Sequence, residues 1–131
     1  RILHGITVGR GDLVESMKFH RGEVDSAEIY EIVRNIAGKV KATGLHVALG
    51  GSVTGKSESF LKKLIDADLL DKFETRKIAF DTTKCASLID AIDKALIFEL
   101  LWLKSKRRYY HRIKIEDEQR IVALEKRLAR Q

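Results

Sequence analysis

An aspartate three residues beyond a glycine-ended apolar run is the first group in this sequence that could do chemistry. It is Asp12, in VGRGDL at residues 8–13. A carboxylate that follows a parallel strand sits at the strand's carboxyl end, where α/β folds place their ligands, and flanking glycines let a substrate approach backbone N–H groups. A hard cation such as Mg²⁺ takes oxygen ligands and usually only one or two protein carboxylates, so Asp12, a second acid and waters would suffice. The plainer alternative is that Asp12 caps a short helix beginning near Leu13.

A second constellation is GGSVTGKS, residues 50–57, which fits the phosphate-loop pattern with Gly50, Gly55, Lys56 and Ser57 in register. There backbone N–H groups would cradle phosphate, Lys56 would neutralise it and Ser57 would hold Mg²⁺, with IAFD ending in Asp81 as the second metal-binding strand. A nucleotide-hydrolase core needs several more strands, however, and the residues after Asp81 are patterned almost entirely as helix. A small nucleotide-binding domain is therefore the alternative reading of this chain.

The third is KSKRRYYHRIK, residues 104–114, with Trp102 just before it. Interleaved cations and aromatics can grip phosphates and stack on bases. They equally describe an amphipathic helix end on which Trp102, Tyr109 and Tyr110 pack while Lys106, Arg107 and Arg108 stay in water, and this reading is preferred because no nucleic-acid-binding fold accompanies the patch. His4 and His46, each on an expected strand, could act as general bases, but a hydrogen-bonded histidine on a half-buried strand is the commoner case. Cys85, near a helix start, has no local histidine to activate it.

These groups need elements to hold them, and composition bounds those elements. The 131 residues are 44% hydrophobic and 34% charged, which suits one globular domain and argues against a disordered or disulfide-stapled chain. A lone cysteine and four scattered histidines give no zinc-finger spacing. No apolar run reaches the roughly 20 residues of a membrane span, and no secretory signal opens the chain, so a cytoplasmic protein without membrane partners is expected. Proline is absent, leaving long helices without forced breaks. The net charge of +6 lies in the tail: residues 101–131 hold ten Lys or Arg against four Asp or Glu, and residues 1–100 are balanced. Any charge-driven partner would bind there.

ILHGITV, residues 2–8, reads as a buried parallel strand, followed by a helix capped by Asp25 or Ser26 with Ile29, Ile32, Val33, Ile36 and Val40 on one face and Gly44 at its end. LHVALGG, residues 45–51, repeats the strand pattern, and Ser57 can cap a helix carrying Phe60, Leu61, Leu64 and Ile65. After the acidic stretch DADLLDKF, RKIAFD at 76–81 is the expected third strand, and Thr82 or Thr83 can cap a long helix through Leu100. Residues 115–130 read as a separate amphipathic helix. The order β-α-β-α-β-α implies parallel pairing through right-handed crossovers. Three strands leave two bare edges, and a complete eight-stranded barrel takes about 250 residues, so the expectation is an incomplete barrel: residues 1–100 as its last three βα units and 101–131 as a basic helical extension.

ITVGRGDLVESM resembles the strand-and-loop segment of the HpcH/HpaI aldolase and citrate lyase family, whose members end a barrel strand in a glycine-x-x-aspartate-leucine motif matched by Gly9, Asp12 and Leu13. LHVALGGSV, LDKFETRKIAFD and ALIFELLWLKSKRRYY are similar to the last βα units and terminal helices of aldolase-like proteins of that kind. The resemblance implies a TIM barrel holding a divalent metal, Mg²⁺ or Mn²⁺, through a glutamate and this aspartate, and making or breaking carbon–carbon bonds beside an oxo acid or acyl thioester. It assigns Asp12 as metal ligand and Gly9, Gly11 and Asp12 as the substrate-carboxylate cradle, with polarisation of the neighbouring oxygen stabilising an enolate. Arg10 departs from the proline or alanine common at its position, and its side chain either adds a contact or faces solvent. The family's glutamate ligand lies on a strand preceding the motif, so the resemblance implies that missing strands or another copy complete the site, in a homo-oligomer, and that the chain alone is inactive. FETRK superficially resembles the family's glutamate-threonine segment but follows the motif, and Glu74 reads as a structural ion pair or rim contact.

Overall fold

In the computed structural model, which describes residues 2–129, the chain forms two compact units that divide between Ile97 and Phe98. The first unit is an α/β fold around a four-stranded mixed sheet in the order β1-β2-β3-β4. β1 (Gly5–Gly9) and β2 (His46–Gly50) pair parallel in register, from Gly5 opposite His46 to Gly9 opposite Gly50. The helix needed to return the chain between them is α2 (Ala27–Ala42), preceded by the short α1 (Arg10–Ser16) and a 3-10 turn at Arg21–Glu23. Ser26 caps α2 by accepting a hydrogen bond from Ile29 N at 3.3 Å, and Ile29, Val33 and Ala37 form its buried stripe. Gly44 takes the left-handed φ of 73° that turns the chain towards β2.

β3 (Lys72–Glu74) follows α3 (Glu58–Asp66) and lies parallel to β2, with Leu49 opposite Phe73. The expected single strand over 76–81 is corrected here: only β4 (Ala79–Asp81) is extended, and it runs antiparallel to β3. A connection this short admits only a hairpin. Thr75 closes it, its N–H donating to Ile78 O at 2.8 Å while its hydroxyl accepts from Ile78 N at 3.3 Å. Phe73 and Phe80 then stack with ring centroids 4.9 Å apart.

Helical packing covers one face of the sheet. Val8, Val47, Leu49 and Phe73 point into a core completed by Val14, Ile29, Val33, Leu61, Leu64 and Ile92. Strand alternation sends Thr7, Ala48 and Lys72 to the opposite face, level with one another in the register. That face stays open as a hollow of about 430 Å³ whose lining includes Gly5, Thr7, His46, Ala48, Lys72 and Glu74. β1 and β4 are the two edges of the sheet. The fold is thus α/β with parallel βα units, as expected, but the third parallel strand is the unexpected β3, and the strand expected at 76–81 survives as the antiparallel β4.

α4 runs Leu88–Leu128, 41 residues without interruption. The separate helix expected from residue 115 does not exist, because nothing breaks α4: the sequence has no proline and its last glycine is Gly55. The first turns bury Ile92 and Ala95, and the residues from Phe98 onward form the second unit, which is helix alone as far as Leu128. Among the described residues no helix is long and apolar enough to cross a membrane.

Candidate functional site

The carboxyl ends of β1, β2 and β3 lie side by side, and glycines at two of them leave room for polar groups from the loops. Gly9 ends β1 and stands at the N-cap position of α1 with no side-chain cap. Asp12 belongs to the first turn of α1, so the helix starts before the residue expected to cap it, and the reading of Asp12 as an N-cap is corrected. Its exposed carboxylate lies over Gly9: a Cβ at Gly9 would approach Oδ2 to 3.1 Å. Glu74, at the end of β3, lays its carboxylate over Gly50, where a Cβ would come within 2.9 Å of Oε1. Gly9 and Gly50 are register partners, so two acids flank one pair of glycines at the mouth of the open face.

Gly51 governs the approach to the α1 backbone. Its φ is +85°, and a Cβ there would stand 2.5 Å from Gly11 N and 2.7 Å from Arg10 N, both rigid backbone atoms. Only glycine permits this close packing of the loop after β2 against the start of α1, while Gly11 itself has open space beside it.

Beneath these loops Arg10 is wholly buried, which settles the choice left open between a contact and solvent. Nη1 forms an ion pair with Asp25 Oδ1 and donates to Val24 O at 3.3 Å; Nη2 donates to Gly51 O and Ser57 Oγ, each at 3.1 Å. The guanidinium also sits 4.8 Å from the centre of the Phe60 ring. Burial pushes its pKa down, and the hydrogen bond and charge of Asp25 push it back up. Arg10 thus joins the loop after β1 to the loop after β2 through residues that sequence proximity could not connect.

That network also occupies the phosphate-loop candidate. Ser57 is buried; its hydroxyl donates to Asp25 Oδ2 at 3.2 Å and accepts from Arg10 and from Thr54 N. The hydroxyl that a phosphate loop would turn to Mg²⁺ is engaged inside the protein. Lys56 is exposed beside it, and Asp81 turns back to accept from Thr83 N at 2.9 Å and from the Thr83 hydroxyl. Those bonds hold the Asp81 carboxyl below its ordinary pKa.

The remaining candidates do not converge on the mouth. His4 precedes β1, which begins only at Gly5, and His46 is exposed at the other end of β2. Cys85 follows a 3-10 turn and lies near Ser87 O, at 3.5 Å. Trp102, Tyr109 and Tyr110 lie on α4, each partly exposed, with Lys106 5.1 Å from the Trp102 ring, the two tyrosine rings edge to face at 5.5 Å, and Arg112 5.7 Å from the ring of Tyr109. Among the described residues no group of three or more His, Cys, Asp or Glu could enclose a metal ion. Sequence reasoning missed Asp71, which accepts from Val47 N at 2.7 Å and from Lys41 at 2.8 Å and so anchors the start of β2. The chain matches no family model, no curated protein and no solved structure.

Proposed function

We propose that the first unit forms the last three βα units of a TIM-barrel carbon–carbon lyase of the aldolase and citrate lyase kind, acting on an oxo acid or acyl thioester. The observation that carries this reading is the open sheet face. Among the described residues helices cover only one side and both edges are unpaired; the other side is lined by small and polar residues, and Asp12 and Glu74 stand near the strand ends where barrels place their chemistry. A sheet closed into a barrel would bury that face and pair the β1 edge, with the antiparallel β4 as an addition to the barrel's parallel strands.

The groups present fit a hard divalent cation in the sparing manner of Mg²⁺ or Mn²⁺, which needs one or two carboxylates and keeps its waters. Asp12 would hold it, and when bound the ion supplies positive charge to an enolate oxygen. The chain's own contribution is orientation. Glycine at 51 lets its loop pack against the backbone nitrogens of Arg10 and Gly11, and the cradle of Gly9, Gly11 and Asp12 would hold a substrate carboxylate beside the metal ligand. Arg10, through Gly51 O and Asp25, holds the two loops at the spacing this requires.

The test is exchange of the α-protons of an oxo acid with deuterated solvent, followed by NMR, using the chain within its complete barrel and Mg²⁺ or Mn²⁺. Exchange lost on chelation and in Asp12→Ala is the expected result. Exchange that persists in both overturns the assignment.

A further inference from the structure

In the second unit α4 is a single helix, and Leu100, Leu103, Tyr110, Ile121, Leu124 and Leu128 fall on one stripe of it, six of nine positions that follow one another at alternating three- and four-residue spacing. These side chains are between 41 and 66% exposed, and no second element of that unit covers them. Three- and four-residue alternation is the seam of a coiled coil. Three charged residues, Arg107, Lys114 and Asp117, complete the same stripe in its middle.

The stripe is self-complementary about Arg112. Leu100 and Leu124 lie equally far from it on either side; so do Leu103 and Ile121, Arg107 and Asp117, and Tyr110 and Lys114. A two-fold interface pairs residue i with j and j with i. We propose that residues 98–126 pair with a second copy of this chain as an antiparallel two-stranded coil whose two-fold axis lies level with Arg112.

The charged layers decide the orientation. In a parallel, in-register pair Arg107 would meet Arg107, Lys114 would meet Lys114 and Asp117 would meet Asp117, three like-charge contacts in the seam. In the antiparallel pair Arg107 of one copy faces Asp117 of the other, twice, and the stem of Lys114 lies along Tyr110 with its ammonium reaching the rim. A buried ion pair adds little affinity but specifies register and direction. At the rims Glu99 meets Arg127 and Lys104 meets Glu118, both attractive; Lys106 meets Arg120, a like-charge pair left in solvent, where it is screened.

The whole chain should sediment as a concentration-dependent dimer. Arg107→Asp and Asp117→Arg should each weaken it by about tenfold or more, from the cost of facing like charges. The two together should restore the dimer to within about threefold of the original, the scatter expected of compensating sites. These positions are exposed, so the helix content measured by circular dichroism should hold. In a Cys85→Ser background, chains carrying Leu103→Cys should cross-link to chains carrying Ile121→Cys, and neither should cross-link to itself. A monomer across the micromolar to millimolar range, a double reversal that fails to restore, or Leu103→Cys cross-linking to its own kind overturns the proposal.

Discussion

Arg10 and Asp25 form an ion pair beneath the loops that follow β1 and β2, with the arginine fully buried and the aspartate side chain 23% exposed. Val24 O, Gly51 O and Ser57 Oγ accept from the two terminal nitrogens of the guanidinium, so one cation satisfies acceptors from three segments, while Nε is buried without a hydrogen-bond partner among the described residues. A charge this deep is tolerated only because it is paired and hydrogen-bonded.

Removing it leaves those acceptors and the Asp25 carboxylate without their donor. Arg10→Ala should destabilise the first unit by about 3 kcal/mol, the lower part of the range for breaking a buried pair because Asp25 keeps some solvent. Arg10→Lys should recover only part of the loss, since an ammonium cannot span the same acceptors. Urea unfolding followed by circular dichroism measures both, and a loss under 1 kcal/mol for Arg10→Ala contradicts the role.

Gly51→Ala should cost more than about 2 kcal/mol, combining a left-handed φ with a Cβ driven against the backbone nitrogens of Arg10 and Gly11. Gly11→Ala, with nothing near its Cβ and a helical position to favour alanine, should be neutral or slightly stabilising. The contrast between the two, read as shifts in unfolding midpoint, isolates the close approach of the loops from any general intolerance of side chains.

Acid should weaken the first unit through Asp71. Burial raises its pKa, but the hydrogen bonds from Lys41 and Val47 N and the charge of Lys41 outweigh this, and the net shift is downward. A carboxyl with a depressed folded pKa contributes stability that is fully present above its unfolded value near 4 and is lost as pH falls through the folded value. Unfolding midpoints should therefore fall below pH 4, and Asp71→Asn should be less stable at pH 7 and flatter across that window. An unchanged slope in the variant removes Asp71 as the cause.

Asp12→Ala should leave the unfolding free energy within about 0.5 kcal/mol, since the side chain is exposed and caps nothing. Any protection from unfolding that Mg²⁺ or Mn²⁺ gives the complete barrel should vanish with it, because binding to the folded state alone is what stabilises. Protection that survives places the ion elsewhere.

Where local pattern was enough, the sequence was legible. β1 and β2 are apolar runs ended by glycine, Ser26 is a cap at its expected place, and the buried faces of α2 and α3 follow their three- and four-residue spacing. β3 and β4 were not legible as a pair: each is three residues long, too short for alternation to register, and the Thr75–Ile78 turn contains no glycine, proline or asparagine. Arg10 was hidden for another reason. Residue type sends arginine to the surface, and only partners 14 to 47 positions later in the chain make its burial affordable. The mouth was half visible: Asp12 was singled out from its motif, whereas Glu74 reaches it only through the register of β2 with β3.

The Arg10 network also sets an order of events during synthesis. A ribosome delivers β1 and α1 first, yet the acceptors of the guanidinium emerge only with Val24, Asp25, Gly51 and finally Ser57. Until Asp25 has left the exit tunnel, docking α1 would strand a cation in an apolar interior, and the guanidinium gains its full set of acceptors only with Gly51 and Ser57, so the first βα unit completes its packing together with the second.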